Sequence, residues 1–119
     1  LKEVKEPKMR KSYRVKTEQD FQKVFQAGNS FANRKFVVYV LPKEQSHFRV
    51  GLSVGKKVGN AVKRNEIKRK IRASLTEMKP RIEPAVDFIV IARPSIATCS
   101  SKEIYSNLEH VLKLAKIIH

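Results

Sequence analysis

Residues 54–72 read VGKKVGNAVKRNEIKRKIR, and their periodicity decides how the rest of the chain is read. Ile67 and Ile71, continued by Leu75 and Met78, fall within about 80° of one another at 100° per residue, which predicts a helix over Gly59 to Lys79 with one apolar stripe. Pro80 ends it. Arg64, Lys68 and Arg72 recur at i, i+4 and i+8 on the border of that stripe, with Asn65 and Arg69 further round the wheel. Gly55 to Arg72 holds eight basic residues in 18, and Glu66 is the one acid among them. A solvated helix face ordinarily mixes signs for i,i+4 pairing, whereas this one carries nearly one sign. Cations at the edge of a packed helix are braced by the body behind them, and a row spaced about 6 Å apart can meet successive phosphates. Arg64 lies in phase with the apolar stripe. It fits there only if the helix start projects past the sheet and the guanidinium reaches across the sheet edge toward a ligand. Lys56 and Lys57 lie beside this start, and Gly55, Gly59 and the free N–H groups form a turn that phosphate can approach.

Outward from the helix, the pattern predicts the order α-β-β-α-β-α. Thr17-Glu18-Gln19-Asp20 has the form of a helix N-terminus; Phe21, Val24 and Phe25 follow at i, i+3 and i+4, and Gly28 supplies a left-handed stop. Lys35 to Leu41 reads as a strand stopped by Pro42. His47 to Val54 alternates, with Phe48, Val50, Leu52 and Val54 on one face and Arg49, Gly51 and Ser53 on the other. The short connection between them suggests an antiparallel hairpin. Asp87 to Ala92 (DFIVIA) is continuously apolar after its first residue and is expected in the centre of a sheet, covered on both faces. Ser100 to Glu103 is a capping box opening a last helix with Ile104, Leu108, Val111, Leu112, Ala115 and Ile118 as its stripe. A short extra strand is expected near Ser30 and Phe31.

The whole chain of 119 residues suits a single domain (residues 1–119), and its formal charge of +15 at pH 7 is the main functional clue. A body so basic repels itself and is expected to meet a polyanion: nucleic acid first, an anionic membrane surface second. No apolar run approaches the length of a membrane span. Leu1 to Lys11 is polar and aperiodic and reads as a flexible basic arm. Met9 can serve as the natural start, leaving Leu1 to Lys8 an alternative upstream segment or added leader. One cysteine, Cys99, rules out an internal disulfide framework, and a lone thiol without an export signal suits the cytoplasm.

Phe21 and Phe25 share a helix face, and Val37, Tyr39 and Leu41 share a strand face. Side by side they make either plain core packing or a shallow apolar groove on which unpaired bases stack. Tyr39, with a hydroxyl that seeks a wet or paired partner, is the best candidate for ligand contact. Catalytic constellations are absent from the sequence. Asp20 and Asp87 are the only aspartates; His47, His110 and His119 stand at unrelated positions, and there is no Walker-type or GxGxxG loop. Reacting groups are therefore expected on a partner.

Residues 54–72 resemble the signature of the bacterial ribonuclease P protein subunit, close to S-K-K-x-G-x-A-V-x-R-N-x-x-K-R-x-x-R. Lys56, Lys57, Gly59, Ala61, Val62, Arg64, Asn65, Lys68, Arg69 and Arg72 fit it. The likeness extends over about Arg10 to Lys116 and includes Ala32 to Phe36, Arg49 to Ser53 and Ile89 to Arg93. Gly55 stands where the family usually has Ser, so a hydroxyl contact there is not carried over. The resemblance implies a two-layer α/β sandwich with a left-handed β-α-β crossover. It also implies membership of a ribonucleoprotein endonuclease that removes the 5′ leader from precursor tRNA, the hydrolysis being done by a catalytic RNA and its Mg²⁺. By position, Lys56, Lys57, Arg64, Asn65, Lys68, Arg69 and Arg72 are then RNA contacts, and Phe21, Phe25, Val37 and Tyr39 line a cleft for the leader. The implied partners are the catalytic RNA, one copy per protein, and precursor tRNA, with no membrane. The rival readings are a ribosomal or other structural RNA-binding protein and a stand-alone nuclease.

Overall fold

The structure, a computed structural model, describes residues 11–119. In chain order it contains α1 (Glu18–Gln26), β1 (Asn29–Ala32), β2 (Phe36–Pro42), β3 (Arg49–Val54), α2 (Ala61–Met78), β4 (Val86–Ala92) and α3 (Ser101–Leu114). The extra strand expected near Ser30 and Phe31 is β1, so the order is the expected one with that strand added. Most of the expected arm lies outside the described residues. Its last residue, Lys11, opens a short 3-10 turn that ends at Tyr13.

Local chemistry sets the helix ends. The Thr17 hydroxyl accepts the Asp20 N–H at 3.1 Å, and Gly28, at φ +75°, reverses the chain after α1. Asn60 caps α2 by accepting the Lys63 N–H at 2.9 Å. Ser100 and Glu103 form the full capping box on α3.

The four strands lie in the order β1-β2-β4-β3. The expected β2–β3 hairpin does not form. Instead β4 lies between them, antiparallel to β2 and parallel to β3. The apolar run of β4 accounts for this, because a strand that must be dry on both faces gains most at the centre of the sheet. The connection after β2 therefore crosses the start of β4. The Lys43 N–H bonds the Ala85 carbonyl, and the Gln45 amide donates to both the Val86 carbonyl and Asp87 Oδ1.

One face of the sheet carries the main core. Phe36, Val38 and Val40, Val50 and Val54, and Phe88, Val90 and Ala92 pack against Ile67, Ile71, Leu75 and Met78 of α2 and Ile104, Leu108, Val111 and Leu112 of α3. Each such side chain, taken fully out of water, is worth about 1.5–3 kcal/mol. The other face is covered only in part. There α1 packs on β2 and β4, with Val24 fully buried. Strand register aligns Leu41, Asp87 and Arg49 in one row on this face, Tyr39, Ile89 and Gly51 in the next, and Val37, Ile91 and Ser53 in the third.

The first row contains a buried charge. Asp87 is almost inaccessible, and its carboxylate accepts from Arg49 Nη2 at 2.6 Å and Nε at 3.1 Å. Arg49 also reaches Asp20 of α1 at 3.4 Å. Burial pushes the Asp87 carboxyl up, but hydrogen bonds from Arg49 and Gln45 and the charges of Arg49 and Lys43 outweigh it and hold the group below its ordinary value. A depressed carboxyl stabilises the fold above its unfolded pKa, and that contribution is lost as pH falls through the folded value. Asp87→Asn, which strands Arg49 without its main partner, is expected to destabilise the protein by about 3 kcal/mol near neutrality. In urea unfolding the gap between wild type and variant should begin to narrow below about pH 4, where the unfolded chain takes up its proton first, and should close as pH falls through the lower native value. A gap that does not change with pH would exclude the buried carboxylate as its source.

Candidate nucleic-acid interface

The apolar stripe of α2 is buried as the wheel predicts, and this fixes the direction of everything else on the helix. Arg64, Lys68 and Arg72 are half-buried along the border of the packed face, while Asn65 and Arg69 are exposed. Lys56 and Lys57 are exposed on the 3-10 turn that joins β3 to α2. The expected projection of Arg64 past the sheet is only partly met: its Nε is shut off from solvent and finds no acceptor within the described structure. A buried donor left unpaired costs about 1–3 kcal/mol.

The single acid of the motif does not neutralise this row. Glu66 pairs with Lys63 at 3.3 Å and Lys70 at 3.6 Å, on the opposite side of the helix. A hydrogen bond and charge from Lys63, and then the charge of Lys70, hold its carboxyl below the ordinary value. Lys56, Lys57, Arg64, Lys68, Arg69 and Arg72 take part in none of the ion pairs among the described residues. Helix α2 thus separates its cations into two satisfied by Glu66 and a row left for another anion. Arg72 feels a second effect. Burial, and then the nearby charge of Arg14, push its pKa down.

The aromatic set assembles on the partly covered face of the sheet. Val24 anchors α1, and Phe21 and Phe25 flank it with ring centroids 6.4 Å apart. Phe25 meets Tyr39 edge-on at 5.0 Å. Phe21 lies over Gly51, where a Cβ would come within 2.7 Å of the ring, so glycine is what allows the ring to settle on β3. Phe21, Phe25, Val37 and Tyr39 are all half-buried. They form a surface, and Val24 is the plain core residue of the group. Sequence periodicity missed the adjoining half-buried Ile91 and Ser53, which share a row with Val37. Only the lateral order of the strands brings them together.

The basic helix and the aromatic surface meet at the β3 edge, where Phe21, Gly51, Arg14 and Arg72 line one small cavity of about 120 Å³. Among the described residues no three His, Cys, Asp or Glu side chains gather as a metal site requires. The carboxylates of Asp20, Glu66, Asp87 and Glu109 are held by the chain's own cations, and that of Glu103 by its helix cap, so they do not fit a Mg²⁺ site. No helix of the described residues is long and apolar enough to cross a membrane.

Comparison with known proteins shows the family. The family model described as Ribonuclease P matches residues 9–116. The ribonuclease P protein component of Enterococcus faecalis is 65% identical over 111 residues, covering 92% of this chain and 94% of that protein. The same component from Lactobacillus johnsonii is 65% identical over 112 residues, covering 92% of each. Among solved structures, the RNase P protein of Staphylococcus aureus superposes with a TM-score of 0.85 at 49% identity, over 92% of this chain and all of that one. The RNase P protein of Thermotoga maritima, solved in complex with 1-(4-fluorophenyl)-2-thiourea, gives 0.78 at 29% identity over 89% of this chain. With its signature helix, its sheet and nearly its full length matched in this way, the chain belongs to the ribonuclease P protein family.

Proposed function

We propose that this protein is the RNA-binding subunit of a ribonuclease P ribonucleoprotein, holding a catalytic RNA through α2 and the single-stranded 5′ leader of precursor tRNA on its aromatic face. The observation that carries this reading is the row Arg64, Lys68 and Arg72, braced at the edge of the core and free of carboxylate partners while Glu66 is spent on Lys63 and Lys70. Braced, uncompensated cations lose little freedom on meeting phosphate and release counterions when they do. Lys56, Lys57, Asn65 and Arg69 extend the same surface. Phe21, Phe25, Val37 and Tyr39 offer flat apolar area beside it, suited to unstacked bases.

Hydrolysis belongs to the RNA and to Mg²⁺ bound by it, since the described carboxylates of this chain do not gather as a metal site requires. Bound Mg²⁺ would activate the attacking water and stabilise the leaving oxygen; the protein binds, orients and steers. One protein per catalytic RNA, acting in the cytoplasm, completes the reading. Reconstitution with the catalytic RNA at low Mg²⁺ tests it. Protein and RNA together should cleave precursor tRNA at its 5′ end, with neither active alone under those conditions. Recovery with ribosomal particles would favour the structural RNA-binding alternative.

Two substitutions separate the surfaces. Arg64→Ala or Lys68→Ala should weaken catalytic-RNA binding and flatten its dependence on log salt by about one counterion each. An unchanged slope would remove phosphate contact from the reading. Tyr39→Ala should cost about 1–3 kcal/mol of binding for leader-bearing substrate and leave mature tRNA nearly unaffected, as titration of the two RNAs against the holoenzyme would show. Equal losses for both would reduce the aromatic face to packing.

A further inference from the structure

A second and larger cavity, about 620 Å³, lies between α2 and the start of α3. Arg69, Arg72 and Ala73 of α2, Lys102 and Tyr105 of α3, and Arg14 from the segment before α1 all line it. Two carboxylates also reach it. Glu66 is held by Lys63 and Lys70, which leaves Glu77 as the lining carboxylate in no ion pair among the described residues. The groove therefore keeps a positive excess drawn from Arg69 and Arg72 of α2 and Lys102 of α3.

Lys102 is the informative residue. It stands in the first turn of α3, at the positive end of the helix dipole, where a cation is unfavourable and an acid is usual. The acid of that turn, Glu103, is folded back onto the Ser100 N–H as the cap. No ion pair among the described residues involves Lys102. An external anion lying in the groove would offset the unfavourable place of Lys102 in the helix dipole. Arg72, in no ion pair among the described residues, faces Lys102 from the other wall of the groove. Tyr105, whose ring packs against the core, and Ala73 give the groove an apolar lining that a sugar–phosphate strand can lie against.

We propose that the α2–α3 groove is a further RNA-docking surface, taking the sugar–phosphate backbone of folded catalytic RNA, with Lys102 as a binding residue outside the basic helix. The proposal rests on the functional reading above. Catalytic RNA is the fitting occupant because the groove shares Arg69 and Arg72 with the basic helix, whereas the aromatic surface lies on the other side of the sheet.

The test compares Lys102→Ala, Lys102→Glu and Arg64→Ala in the full chain. Each is titrated with catalytic RNA over a range of salt, and each holoenzyme with precursor tRNA of long and short leader. Circular dichroism melts check that the exposed Lys102 variants fold. Lys102→Ala should flatten the salt slope by about one, and Lys102→Glu should weaken catalytic-RNA binding about tenfold or more, with discrimination between leader lengths unchanged. If Arg64→Ala weakens binding and Lys102→Glu does not, the groove is idle and the proposal is overturned while the functional reading stands. If neither weakens it, the functional reading fails first. If Lys102→Glu affects only leader-bearing substrate, the groove holds a different RNA and the proposal is likewise overturned.

Discussion

The buried pair of Asp87 and Arg49 organises the partly covered face of the sheet. An ionised carboxylate out of water is tolerated only when it is paired and its lone pairs are filled, and Asp87 is served by Arg49, Gln45 and Lys43 together. Because Arg49 also reaches Asp20, the charge that closes the sheet at this row also holds the first turn of α1 against it. The position of α1 then decides where Phe21 and Phe25 lie, and so where the sheet remains open. A buried ion pair thereby sets the boundary of the aromatic surface.

That pair also marks the limit of what was legible in the sequence. Thr17, Gly28, Pro80 and the Ser100–Glu103 box act within a few residues, so their effects could be read from local spacing, and each marks an element end in the structure. The stripe of α2 and the central place of β4 were legible for the same reason, since periodicity and continuous apolarity are properties of one segment. Lateral order is not. Nothing in the short link after Pro42 announces that β4 will enter between β2 and β3, so a hairpin was expected where a crossing connection forms. The Asp87–Arg49 contact depends on that order and was missed with it. A signal did exist: Asp87 opens an otherwise apolar strand, and Arg49 occupies the outward phase of β3. A buried acid needs a cation, and this one was within reach.

The candidate site divides in the same way. Five of the seven polar positions of the basic segment lie on α2, so their placement followed from the wheel, and Lys56 and Lys57 lie on the turn before it. The aromatic members come from α1 and β2, and that they form a surface rather than core depended on how far α1 covers the sheet. Ile91 and Ser53 joined the surface only once strand register was known.

Charge distribution along α2 links these levels. Like-signed neighbours on a helix repel, so a row of them is stable only where something else holds the helix. Ile67, Ile71, Leu75 and Met78 supply that hold, and Glu66 removes the repulsion from the side it faces, through Lys63 and Lys70. Arg64, Lys68 and Arg72 are left half-buried against that packed face and in no ion pair among the described residues. Arg72 stands at the end of the row, lining both the cavity under Phe21 and the groove beside Lys102. A polyanion gripping α2 and a strand lying on the aromatic face would therefore meet at one guanidinium already crowded by Arg14.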